Sequence, residues 1–197
     1  MDSGPEIEAH HHHHTGHRWL DITLGVAAIL ISLVSLVVGL HHGQTMEKMV
    51  EASTWPYVDF AVSHANPDGS PKAALMLVNS GIGPARIETF EVFYDGKPVA
   101  NNRALIIAAV GAQVSVNTIT STASDRVIPA NSQIEFLSVL PGKETEGDFM
   151  RFRSSLGKVS AHVCYCSALD ECWIRDSDKP KPDHVKQCPK PAVPFEG

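Results

Sequence analysis

Hydrophobic and polar positions divide the chain into two regimes. An uncharged run opens at Ile22 and closes at Leu40, and twelve of its residues are Leu, Ile or Val. No face of it is polar, which excludes the amphipathic stripe of a helix lying on a soluble core. At 1.5 Å per residue, residues 22–40 cover about 28 Å, close to the roughly 30 Å hydrocarbon thickness of a bilayer. The aliphatic side chains favour insertion by roughly 4 to 7 kcal/mol, less what Thr23, Gly25, Ser32, Ser35 and Gly39 return. Arg18, Trp19 and Asp21 stand at the leading edge, where headgroups accommodate aromatic rings and charge. A cleaved signal peptide is the competing reading. Its apolar core is shorter, about 7–15 residues, and a small-residue cleavage pattern follows it. Here His41 and His42 follow instead. The pattern predicts a transmembrane helix over residues 18–42 and a helical linker over 43–55. In the linker Met46, Met49, Val50 and Ser53 share one helical side, which suits either packing on the chain's own domain or self-association. Trp55-Pro56 ends the helix, because the residue before proline avoids the α region.

Beyond Pro56 the period changes to two. Val58, Phe60 and Val62 alternate with polar positions as a half-buried strand. Residues 73–78 are apolar on both faces, as in a central strand. Turns follow at residues 66–69 and 79–84. Residues 86–94 place Phe90, Val92 and Tyr94 on one face. Asp95-Gly96 is the strongest hairpin signal, because a type I′ turn needs positive φ at both central residues. Residues 97–100 make the return strand. Residues 101–111 fit a short helix or a buried strand equally. Strands are expected over 114–120, 133–139 and 159–166, and a polar loop with at most a helical turn near Phe149 over 142–153. The sum is a mainly β domain over residues 56–178, an antiparallel, immunoglobulin-like β-sandwich, followed by a Pro/Lys-rich tail over 179–197.

Cys164, Cys166, Cys172 and Cys188 all fall near the end of the chain. Cys164 and Cys166 share one face of a strand. With residues 167–171 as a hairpin loop, Cys166 lies opposite Cys172 and Tyr165 opposite Trp173. Cys164 then remains for Cys188, which would pin the tail to the sheet. Three pairings stay formally open, and this register favours that one. A tetrathiolate zinc site is the rival, but zinc sites usually present paired Cys-x-x-Cys knuckles, which this spacing lacks. A thiol redox site lacks the same motif. Disulfides and an anchor together point to an oxidising compartment. The positive residues near the helix, Arg18 and Lys48, are evenly divided, so cysteine chemistry alone orients the chain: N-terminus cytoplasmic, domain outside.

Charge narrows the partners. From Trp55 onward 14 Lys and Arg face 16 Asp and Glu, a net of −2, with no basic stripe. Nucleic acid and electrostatic adhesion to anionic lipid are therefore not expected. The lipid bilayer, met through residues 22–40, and a protein partner or second copy are. Residues 1–17 read as a disordered tail. Its run from His10 to His14, with His17, fits an affinity tag or low-complexity segment better than a selective metal site. Gly81-Ile82-Gly83-Pro84 lacks the third glycine of a phosphate loop and is a turn. There is neither a Gly-x-Ser-x-Gly elbow nor a His-Glu-x-x-His. His64, His162 and His184 are scattered. Asp170 and Glu171 read as a solvated turn. Arg151 and Arg153 would share a face if extended, either for an anionic partner or as protective edge charges.

The turn Asn79-Ser80-Gly81-Ile82-Gly83-Pro84-Ala85, the Trp55-Pro56 start and the Cys164-Tyr165-Cys166 to Cys172-Trp173 hairpin resemble features of bacterial proteins that carry one N-terminal anchor and a β-sandwich. The resemblance spans roughly residues 18–175. It implies an inner-membrane protein with a periplasmic domain and brings no activity. The first expectation is thus a non-enzymatic binding or assembly module without a cofactor. An envelope enzyme of hydrolase type with a dispersed site, and a metal or thiol sensor built on the cysteines, are the alternatives.

Overall fold

The computed structural model describes residues 18–197. The expected N-terminal tail and the histidine run from His10 to His14 lie outside the described residues. The chain divides into two units, residues 1–49 and 50–197.

Helix α1 (Arg18–Ser53) runs unbroken through both the apolar stretch and the expected linker, and none of its residues is buried. It is long and apolar enough to cross a membrane. Two hydroxyls of its apolar stretch bond back along the helix itself. Thr23 Oγ1 donates to the Leu20 carbonyl at 3.0 Å, and Ser32 Oγ to the Ala28 carbonyl at 2.8 Å. That back-bonding removes the main penalty of placing them in hydrocarbon. The side chains of Met46, Met49 and Val50 are all exposed.

The second unit holds strands β1 (Val58–Ala65), β2 (Pro71–Asn79), β3 (Ala85–Tyr94), β4 (Lys97–Val99), β5 (Asn117–Thr120), β6 (Val127–Ile128), β7 (Ser132–Leu140), β8 (Val159–Cys166), β9 (Cys172–Asp176) and β10 (Asp183–Val185), with helices α2 (Asn102–Val110) and α3 (Glu146–Ser155). One sheet has the order β1-β2-β7-β5; the other runs β10-β9-β8-β3-β4, with β6 paired to the start of β3. Every strand pairing is antiparallel. The architecture is mixed helix and sheet, not the mainly β chain expected.

Both sheets contribute to one core. Phe90 of β3, Phe136 of β7 and Phe195 form its aromatic centre, with ring centroids 5.0 to 5.6 Å apart. Two bulges make this possible. In β7 two residues oppose one between Leu75 and Met76, so the adjacent Phe136 and Leu137 are both buried. In β3 the register slips between Ile87 and Thr89, which brings Ile87 into phase with Phe90 and Val92. Without the extra residue, strict alternation would send one of each set to solvent.

Local chemistry explains several elements. Asp95 and Gly96 have φ of 50° and 74°, as the hairpin between β3 and β4 requires. Asn101 caps α2, its Oδ1 accepting from the Ala104 N–H at 2.9 Å, and this settles residues 101–111 as a helix. The expected loop over 142–153 is instead largely α3. Phe149 and Phe152 are three apart and Leu156 follows at four, so one helical face is apolar and buried. Glu146 and Asp148 in its first turn and Arg153 near its end suit the helix dipole. Arg151 and Arg153, two apart on a helix, diverge and cannot form the shared face that an extended segment would give. The strand expected over 114–120 is confined to β5.

Asn79 ties the start of the unit together. Its buried side chain accepts from the Tyr57 and Gly81 N–H groups at 3.1 Å each and donates to the Gly83, Ile128 and Pro129 carbonyls. The turn therefore packs directly against residues 54–57, and a Cβ on Gly83 would fall 1.8 Å from the Thr54 carbonyl oxygen. Glycine is required there by contact, which accounts for the sequence pattern at 81–83.

The C-terminal segment is not a free tail. Phe195 is buried, its N–H donates to the Phe90 carbonyl at 2.9 Å, and the Glu196 N–H donates to Ala100 at 2.8 Å.

Candidate binding site

α2, the segment that follows it, β5 and the end of the chain enclose a cavity of about 610 Å³. Its apolar wall is built by Ile106, Ile107, Val114 and Val116. Thr118 and Thr120 line it from β5, and Arg103 and Glu196 bring opposite charges to it. Glu196 is held there by a parallel bridge to Asn101. The volume lies within the range of ordinary ligand pockets, about 300–1,000 Å³.

Asn102, at the start of α2, borders this cavity. The residue is 7% exposed. Its Nδ2 donates to the Phe136 carbonyl at 3.2 Å, while its Oδ1 is buried without a protein partner. Such an acceptor costs about 1–3 kcal/mol when left unsatisfied. The first residue of a helix, after an Asn cap, gave no sequence signal for its burial.

β5 adds a second feature. It is an edge strand, bonded to β7 on one side, and all four of its residues are exposed. Its sequence, Asn-Thr-Ile-Thr, contains neither charge nor proline. β4, an edge of the other sheet, carries Lys97 and Pro98, the usual protections against pairing.

The four cysteines converge on the outer face of β8. Cys164 and Cys188 sulfurs lie 2.04 Å apart, as do those of Cys166 and Cys172, so the sulfurs stand at bonding distance in the pairing favoured by register. β8 and β9 pair Cys166 with Cys172 and Tyr165 with Trp173, whose rings stack at 5.9 Å. Tyr165 faces the core, and burial pushes its phenol up to about 12. The bridged sulfurs are not thiolates and in this state offer no metal ligand.

The remaining candidates separate. His162 lies in register between Glu91 and Asp176, 4.0 and 3.4 Å from their carboxylates, and packs on Phe93. It does not line the cavity. His184 pairs with Glu171 at 3.2 Å, and Asp170 pairs with Arg86 at 2.8 Å, so the two adjacent acids point to different partners. Glu88 and Asp170 together hold the Arg86 guanidinium above its ordinary value. His64 is an exposed residue of β1. Arg151 pairs with Asp148, whose carboxyl is held below its usual range by the Ser115 N–H first and then by Arg151.

No protein family, curated protein or solved structure matches this chain.

Proposed function

We propose that this chain is a membrane-anchored, non-enzymatic binding module of the bacterial cell envelope. α1 holds it in the inner membrane with the N-terminus cytoplasmic. The domain, an immunoglobulin-like sandwich, stands on the periplasmic side, where its cysteines stay oxidised. Its ligand is an extended segment of a protein partner, added as a strand along β5.

The observation that carries this reading is the coincidence of an unguarded edge and a cavity on one strand. Thr118 and Thr120 of β5 line the cavity, and Ile119 between them is exposed. In strand addition the main-chain hydrogen bonds supply affinity, and pockets for alternate side chains supply specificity. The edge supports the first and the cavity the second. The near-balanced charge of the domain agrees with a ligand chosen by shape and hydrogen bonding, not by long-range attraction.

Peptides selected by display against the full chain in detergent micelles test this. The bound peptides are expected to protect β5 amides from hydrogen exchange and to weaken about tenfold with Thr118→Trp, whose larger side chain fills the cavity that Thr118 lines. Selected peptides that protect other strands and bind the variant equally would overturn the reading.

A further inference from the structure

The two bridges are not separate. Cys166 Sγ lies 3.9 Å from Cys188 Sγ, which belongs to the other pair. The sulfurs of Cys166, Cys172 and Cys188 all lie within 4.8 Å of one another, and Cys164 Sγ is bonded to Cys188. Bridges that only staple a fold have no need to touch. Here four sulfurs form one cluster on the outer face of β8.

We propose that this cluster is a thiol–disulfide exchange site that takes electrons from an external dithiol and passes them from one bridge to the other. A dithiol donor reduces the Cys166–Cys172 bridge. The donor leaves as a disulfide, and Cys166 and Cys172 each gain a proton. Cys166 then gives up its proton, and its thiolate attacks Cys188 Sγ. The Cys166–Cys188 bond forms and the Cys164–Cys188 bond breaks. The electron pair departs on Cys164 Sγ, which takes up a proton. The chain ends with one bridge, Cys166–Cys188, and two thiols, on Cys164 and Cys172.

One feature favours that path. The attacking and attacked sulfurs are already in contact, so little motion precedes the step. Exchange moves the attachment of Cys188 two residues along β8, about 7 Å. The segment beyond Cys188 carries Phe195 into the core and Glu196 to the cavity, so the root of that strap shifts with the electrons. The exchange is independent of what occupies the cavity.

The test uses the full chain in detergent, treated with limiting dithiothreitol, quenched in acid, labelled with maleimide and mapped by mass spectrometry. Independent bridges give labels on Cys166 with Cys172, or on Cys164 with Cys188. The exchange predicts a third species, labelled on Cys164 and Cys172 together, forming without denaturant. If that species is missing, or arises only in denaturant, the proposal is overturned. Cys172→Ser leaves Cys166 unpaired and is expected to divide its label between Cys166 and Cys164. Label on Cys166 alone would contradict it, and if that variant does not fold the wild-type mapping decides.

Discussion

Lys72 sits in β2 at 7% exposure, an unusual depth for an ammonium group. Its Nζ donates to Glu135 Oε1 at 2.8 Å, and Ser138 Oγ donates to Oε2 at 2.7 Å. Burial by itself would raise the Glu135 carboxyl. The donors and the Lys72 charge outweigh it and hold the group below its ordinary value of 4.5. A carboxyl depressed in the folded state contributes stability above its unfolded value, and that contribution is lost as pH falls through the folded one. The domain should therefore weaken as pH falls below 4.5. Lys72→Met should flatten that acid limb and cost about 1–2 kcal/mol at neutral pH, read by denaturant unfolding across pH. An unchanged acid limb in the variant would show that Glu135 does not set it. Little of this was legible in the sequence. Lys72 lies at the start of a strand that is mostly apolar, and nothing local announces that Glu135, far along the chain and opposite Met76, will come within reach of its ammonium group. Asn79 and Asn102 were silent for the same reason: their partners are backbone groups brought near only by the tertiary fold.

Elements with a local cause were legible, and those with a distant cause were not. The apolar run, the Asp95-Gly96 hairpin and the Cys166–Cys172 register each follow from neighbouring residues, and each is present in the fold. α3 was hidden because its polar residues outnumber Phe149 and Phe152, whose spacing carries the helical signal. The bulges in β3 and β7 were hidden because alternation assumes an unbroken pleat. The C-terminal segment misled through composition. Its prolines and lysines describe a solvated chain, yet Phe195 lies 5.4 Å from Phe90 and 5.6 Å from Phe136, centroid to centroid. Phe195→Ala is expected to destabilise the domain by about 3–5 kcal/mol, the usual cost of deleting a buried phenyl ring. Thermal unfolding of the full chain in detergent checks it. A change below about 1 kcal/mol, the range of surface substitutions, would mean that the strap does not hold the core.

For the whole molecule, the account joins a helix suited to a bilayer with a domain whose four cysteines are paired. Each half constrains the other. A helix able to span a membrane allows either orientation, and the near-even distribution of positive residues around it does not choose. In the proposed reading the paired cysteines choose, because cytosolic thiols are kept reduced. Strand addition at β5 and exchange among the sulfurs both presuppose that the domain meets its partners outside the cytoplasm. The most direct measurement is maleimide labelling of the full chain in cells whose outer membrane has been opened. The account predicts no labelled cysteine before reduction, and after it labelling of Cys164, Cys166, Cys172 and Cys188 by a reagent that cannot cross the inner membrane. Free thiols reached only by a membrane-permeant reagent would contradict it.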